Sequence, residues 1–475
     1  MFEREIGRRS VLAGVGAVSA TALIRSAQAQ TSTAALDTRL PARREFVIRN
    51  AHVLPMDEQI GDLPRGDVHV RDGAIIAVGQ DLAAPGADVI DGKGMICMPG
   101  FVETHWHHWT SFLRPVLRAD DPKKTYFPVT FAFGVHYAPE DSYRAVRLGL
   151  AEALSAGVTT THNWAHNVRS PAHADAEVQA MRDGGLRGRF SYGTPLGLPN
   201  DQAMDLADLA RLKRDLDKDP MLTLGVCSRN VDGDQGGSRG AIDSVLAKKE
   251  WGAVRELGLP ITLHTSGNGG AVKTLNDAGL LGPDLQLVHP LNTTADEWTM
   301  LARNGVHYST SPLGEAGRAG EMQVPEMLQA GVKMISISID NVTAERCDCF
   351  ACMHMLQTIM RHRTAGKFVL TTKKLVQIAT IGGAQDLGLD KITGSLTPGK
   401  RADMILVRTD RPHMRPLGDP YDALVQLAHP SDVDMTMVDG RVLFHNGDFA
   451  ALDYDKLEAD AMQSVAALSA KAKWS

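Results

Sequence analysis

The chain has 475 residues, too many for one average domain but enough for a large barrel with an appended module. Its 50 basic and 56 acidic residues give a formal charge of −6, and no Lys/Arg-rich face stands out, which argues against a nucleic-acid partner. Hydrophobic residues make up 43%, as expected of a soluble globular protein with a substantial core.

The first recognisable element is Arg8-Arg9-Ser10-Val11-Leu12, followed by an uncharged, small-residue apolar run to Ile24 and then Ala27-Gln28-Ala29. Twin arginines, a short apolar core and an A-x-A exit describe a Tat-type export signal over residues 1–29. The run falls short of the ~20 residues a spanning helix needs, and no later segment is long and apolar enough. The mature chain is therefore expected in the periplasm, without a membrane span, after export by the Tat machinery. Residues 30–44 read as a polar linker.

Residues 45–100 alternate apolar and polar stretches, with a hairpin signal at Asp72-Gly73. Residues 99–108 then read PGFVETHWHH. An extended segment projects residues i and i+2 together, so His105 and His107 offer two adjacent imidazoles, half of a divalent-metal site. After a helical stretch at Asp141–Ala156, short strands are predicted at Val158–His162, Arg187–Thr194 and Met221–Cys227. Further apolar runs follow at Leu259–His264 (LPITLH), Leu285–His289 (LQLVH), Val306–Thr310 and Met334–Asp340 (MISISID). Helical patterns at Ala241–Leu257 and Ala295–Asn304 separate some of them, and the alternation predicts a parallel barrel over residues 101–392. Three of these runs end on His264, His289 and Asp340, where a parallel barrel carries its chemistry. Residues 393–455 are β-rich again, with turn signals at Asp439-Gly440 and Asn446-Gly447. They are expected to join residues 45–100 in one composite β-sandwich. Lys456–Lys473 reads as a closing helix within residues 456–475.

The run PGFVETHWH resembles the first-strand signature of the amidohydrolase superfamily. Gly382–Val407 (GGAQDLGLDKITGSLTPGKRADMILV) is similar to that superfamily's passage from the last barrel helix into its sandwich. The resemblance runs in order from about residue 45 to residue 450 and is nearest the triazine hydrolase and cytosine deaminase-like subgroup. It implies an α/β protein built as a (β/α)8 TIM barrel with a small β-sandwich formed by the segments flanking the barrel. By the same resemblance His105, His107, His264 and Asp340 would bind one divalent metal per chain. Zinc is the first choice, and Fe2+, Co2+ or Mn2+ would also suit the donors. The fourth strand, MLTLGVC, offers neither Lys nor Glu to bridge a second ion. Asp340 and His289 are the expected catalytic residues: Asp340 would move the proton of a metal-activated water, and His289 would orient that water or stabilise an oxyanion.

One departure from the subgroup is informative. Its deaminases carry HxxE at the end of strand 5, whereas this chain reads His264-Thr265-Ser266-Gly267. The missing Glu favours hydrolysis of an amide, urea, carbamate or cyclic amide over ring deamination. The alternatives are a deaminase using His289 or Glu315 as acid, and a catalytically silent barrel that only binds. Five intact polar site residues argue against silence, since buried polar groups are costly to keep. Trp106, His108, Trp109, Tyr126, Phe127, Phe131, Phe133 and His136 crowd the loop after strand 1, and His162, Asn163, Trp164 and His166 end strand 2. Aromatic walls suit a small, flat substrate, so Trp106, His108, Trp109, His162, Trp164 and His289 are the expected substrate contacts. Glu315 and Arg318 read as loop charges. Cys347, Cys349 and Cys352 read as small buried residues behind Asp340 rather than a second metal site or redox pair. Homo-oligomerisation is left open.

Overall fold

A computed structural model of the chain describes residues 40–232, 240–265, 270–316, 322–343 and 345–474. The Tat-type leader with Arg8 and Arg9, most of the linker, Gly267 and Arg318 lie outside the described residues.

Among the described residues, eight strands form one parallel sheet in chain order. They are β1 (Phe101–Val102), β2 (Val158–Ala165), β3 (Arg187–Gly193), β4 (Leu222–Ser228), β5 (Ile261–His264), β6 (Leu285–Val288), β7 (His307–Thr310) and β8 (Ile335–Ile337). The sheet closes through Trp106, which bridges Asn163 on one side and Asp340 on the other. The closing bonds run from His107 N to the Asp340 carbonyl at 2.7 Å and from Asp340 N to the His105 carbonyl at 2.8 Å. The HxH segment is thus the seam of the barrel. β8 is shorter than the apolar run that announced it: Ser338 N still bonds the Thr310 carbonyl, but Ile339 N turns to the Glu103 carboxylate and Asp340 makes the seam contacts.

Outer strand residues such as Ile261, Leu263, Leu285 and Leu287 pack with the helical layer in one large core. The helix Ala295–Asn304 shows how local chemistry sets its limits. Thr294 and Glu297 form a reciprocal capping box at its start, and Gly305 ends it at φ +66°.

The segments flanking the barrel meet in a single nine-stranded sheet. Met95–Pro99 pairs antiparallel with Met404–Arg408, so the composite unit is one connected sheet. Ile48, Val68, Val70, Met404, Leu406 and Met435 share its apolar core. Its hairpins turn at Asp72-Gly73, Asp439-Gly440 and Asn446-Gly447, with positive φ at both residues of each pair. That geometry matches the twist of the strands it joins. A buried ion pair, Arg187 Nε to Asp403 Oδ2 at 2.7 Å, ties β3 to this sheet. The closing helix, Tyr454–Ala472, packs Ala461, Val465 and Leu468 against Trp109, Phe112 and Phe133 of the loop after β1.

Candidate metal and catalytic site

Four donors converge at the barrel mouth. One ligand atom from each of His105, His107, His264 and Asp340 lies within 4.8 Å of the others. His105 Nε2 is 3.5 Å and His107 Nε2 3.3 Å from Asp340 Oδ1, and His264 Nε2 is 3.2 Å from His105 Nε2. Burial, reinforced by the neighbouring histidines, pushes His105 and His264 well below the usual imidazole range. Burial opposes ionisation of Asp340, but the facing imidazoles of His105, His107 and His289 outweigh it and hold the carboxyl well below its ordinary range. Neutral imidazoles with lone pairs turned toward one ionised carboxylate form a donor set suited to a divalent cation. His107 supports this orientation, since its Nδ1 donates to the Trp164 carbonyl at 3.4 Å and leaves Nε2 free to face the cluster. Asp340 keeps 21% of its side chain exposed, so the cluster opens to solvent at the mouth.

His289 completes the mouth by an irregular route. In β6, Leu285 and Leu287 face the helices, and strict alternation would send His289 after them. Instead its φ of +51° ends the strand and turns the ring over the mouth, with Nε2 3.7 Å from Asp340 Oδ2. Asp340 itself sits at φ +68°. Two non-glycine residues in the left-handed region at one site mark backbone held there by its surroundings. The His289 Nδ1–H donates to Glu315 Oε1 at 2.7 Å.

The structure corrects the reading of Glu315 as a loop charge. It is buried at 3% exposure and also accepts bonds from the Ser311 amide and the Thr310 hydroxyl, both at 2.8 Å. Glu103, to which the sequence reading gave no role, is fully buried at the seam. Its carboxylate accepts from the amides of His105 (2.6 Å), His162 (3.2 Å) and Ile339 (3.3 Å) and from the Thr161 hydroxyl (2.9 Å). Burial pushes its pKa up to about 7. An acid inside the otherwise apolar run PGFV-E-TH was the available signal for it.

The expected substrate contacts divide. Trp164 lies in the site wall, its ring 3.9 Å from that of His264 and 5.0 Å from that of His107, pinned by an Nε1–H bond to Thr262 Oγ1 at 3.2 Å. His166 packs 4.2 Å from His107, and half-buried Tyr126 stands 6.2 Å from it. Trp106, His108 and His162 are fully buried and present no face to a substrate. His162 spans Thr104 and Ser191 inside the barrel, and His108 stacks on Trp106 and donates to Thr161. Trp109 is also buried and reaches the site only by its Nε1–H bond to His166 at 3.3 Å. Phe133 packs into the same loop core, whereas Phe127 is exposed. Cys347, Cys349 and Cys352 are free, buried thiols, and Cys349 and Cys352 lie on the helix Cys349–Thr364.

Residues 96–443 match the Amidohydrolase family. The 5'-deoxyadenosine deaminase of Methanosarcina mazei is 28% identical over 90% of this chain and 99% of its own. The 5-methylthioadenosine/S-adenosylhomocysteine deaminase of Symbiobacterium thermophilum is 29% identical over 89% of this chain and 99% of its own. Among solved structures, an adenosine deaminase from Xanthomonas campestris with bound zinc superposes with a TM-score of 0.78 at 20% identity, covering 90% of this chain and all of the other. The atrazine chlorohydrolase of Arthrobacter aurescens complexed with zinc gives 0.74 at 19% identity, covering 88% of this chain and all of the other.

Proposed function

The chain belongs to the amidohydrolase family, and from that premise we propose that it hydrolyses a C–N bond of the amide, urea, carbamate or cyclic-amide type in a small, flat heterocyclic or aryl substrate. The observation that carries the reading is the convergence of three imidazoles and the ionised Asp340 under His289. His105, His107, His264 and Asp340 would hold one divalent ion, zinc by preference, which supplies Lewis acidity and lowers the pKa of a water molecule toward ~7. Asp340 is ionised and exposed enough to take a proton from the attacking water and return it to the leaving nitrogen. His289, held by Glu315 through its Nδ1–H, accepts from the water at Nε2 and, once it has taken a proton there, donates to the developing oxyanion. Trp164 and Tyr126 supply aromatic surface for a flat ring.

Deamination of an aminated ring is the second reading. It is favoured by the activities named for the two curated relatives and by the His289–Glu315 pair, which offers a proton in a chain whose sequence reads Gly267 where the HxxE pattern has Glu. A panel of amides, ureas and aminated heterocycles, assayed with metal-loaded protein, separates the two. Acid or amine release without ammonia from ring amines supports the first reading, and efficient ammonia release supports the second. Turnover of neither class, with metal bound, would overturn both. The twin-arginine leader supports export to the periplasm. Changing Arg8 and Arg9 together to Lys should retain active precursor in the cytoplasm, and normal periplasmic delivery of that variant would contradict this.

A further inference from the structure

A second group of metal-type donors lies away from the barrel mouth, on the excursion that links Met404–Arg408 to Val433–Val438 in the flanking sheet. We propose that His413, His429 and Asp432 form a divalent-metal site that clips the two ends of this excursion together. His413 belongs to a short 3-10 turn, Pro412–Met414, near the start of the excursion, and Pro430–Asp432 is another at its end. His413 Nε2 lies 2.8 Å from Asp432 Oδ2. The His413 and His429 rings stack with centroids 4.7 Å apart and planes 22° apart. One ligand atom from each of the three residues falls within 4.8 Å of the others.

The burial pattern is that of a site with a fixed base and an open top. Asp432 is 1% exposed, and its Oδ2 also accepts the His429 amide at 2.9 Å, so the carboxylate is immobilised. The His413 side chain is 37% exposed and His429 is exposed, leaving room for water as the remaining ligands. Two imidazoles and one carboxylate are the donor types that Zn2+, Ni2+ and Cu2+ prefer. Donor atoms around such an ion at bond lengths of about 2.0–2.1 Å sit about 3.3 Å apart, so His413 need withdraw from Asp432 by only about half an ångström. Met414, beside His413, is fully buried and anchors the turn. A bound ion would cross-link two points that are distant in sequence and reduce the freedom of the chain between them.

The test uses the full-length enzyme already carrying one ion per chain, with zinc alone as titrant. Isothermal calorimetry should show a further saturable event of one ion per chain, weaker than the first. The event should vanish in the His413→Ala/His429→Ala double variant, which should keep the parent's circular dichroism spectrum and its turnover. With Cu2+ as probe, electron paramagnetic resonance should show coupling to two nitrogens, falling to one in His429→Ala. Hydrogen exchange of amides 412–432 should slow on zinc addition in the parent and not in the double variant. Absence of a further saturable event, or its survival in the folded double variant, would overturn the proposal.

Discussion

Glu315 Oε1 and His289 Nδ1 lie 2.7 Å apart, joining the loop after β7 to the end of β6 beneath the barrel mouth. The carboxylate is fixed independently by the Ser311 amide and the Thr310 hydroxyl, so it sets the histidine rather than following it. With the proton held on Nδ1, Nε2 is left to face Asp340 Oδ2 at 3.7 Å. A ring turned by positive φ at its own backbone and locked by a buried acid is held in one orientation.

Replacing Glu315 should therefore act through His289. Glu315→Gln keeps the volume and removes the charge, and kcat should fall by ~10–100-fold, the range typical of partners that orient site residues. Glu315→Ala should cost more, KM should change less than kcat, and the pH–rate profile should move. Steady-state kinetics across pH checks this. Wild-type kcat with an unmoved profile in both variants would leave Glu315 a purely structural role.

Asp340→Asn keeps the shape of the fourth donor and removes the proton acceptor. Turnover should drop by ~10²–10⁴-fold, as for loss of a general base. Elemental analysis should show the ion retained at lower affinity in this variant and lost in His264→Ala. Near-wild-type turnover of Asp340→Asn would be the most damaging result for the proposed chemistry.

The barrel strands and the four donors His105, His107, His264 and Asp340 were legible because burial and period-two patterning act locally: Thr262 and His264 share a face whatever the rest of the chain does. The seam was less legible. Trp106, His108 and His162 looked like pocket residues because they adjoin the donors in sequence, but barrel closure buries all three. Glu103 and Glu315 act through backbone amides of neighbouring strands and loops, contacts that exist only once the barrel has closed. The direction of His289 depends on a backbone torsion that the residue type does not announce.

Gly267 bears on reaction type. If amide-type hydrolysis is the native reaction, Gly267→Glu restores the HxxE pattern but should lower activity without creating ring deamination. The wild type should release ammonia poorly from cytosine-like or guanine-like rings. A coupled ammonia assay on both proteins checks this, and efficient wild-type deamination would shift the acid's role to His289 and Glu315.

A final prediction concerns stability and pH. Glu177, on the helix Pro171–Gly184, is fully buried; its Oε2 accepts from Asn163 Nδ2 at 2.9 Å, and its Oε1 has no partner. Burial, only partly offset by the bond from Asn163, raises its pKa from 4.5 to about 8. The folded protein therefore holds a proton on Glu177 that the unfolded chain has already released. Its contribution to stability is fully present below about pH 4.5 and is lost as pH rises through about 8. Glu177→Gln mimics the neutral acid at every pH and so lacks this loss. Relative to the variant, the wild type should melt similarly near pH 5 and progressively lower toward pH 8.5, with an upper bound of about 4–5 kcal/mol on the difference. Other titrating groups are common to both proteins and cancel in the comparison. Thermal melts of the two across this range provide the check, and a difference in Tm that does not change with pH would show that Glu177 is not protonated in the folded state.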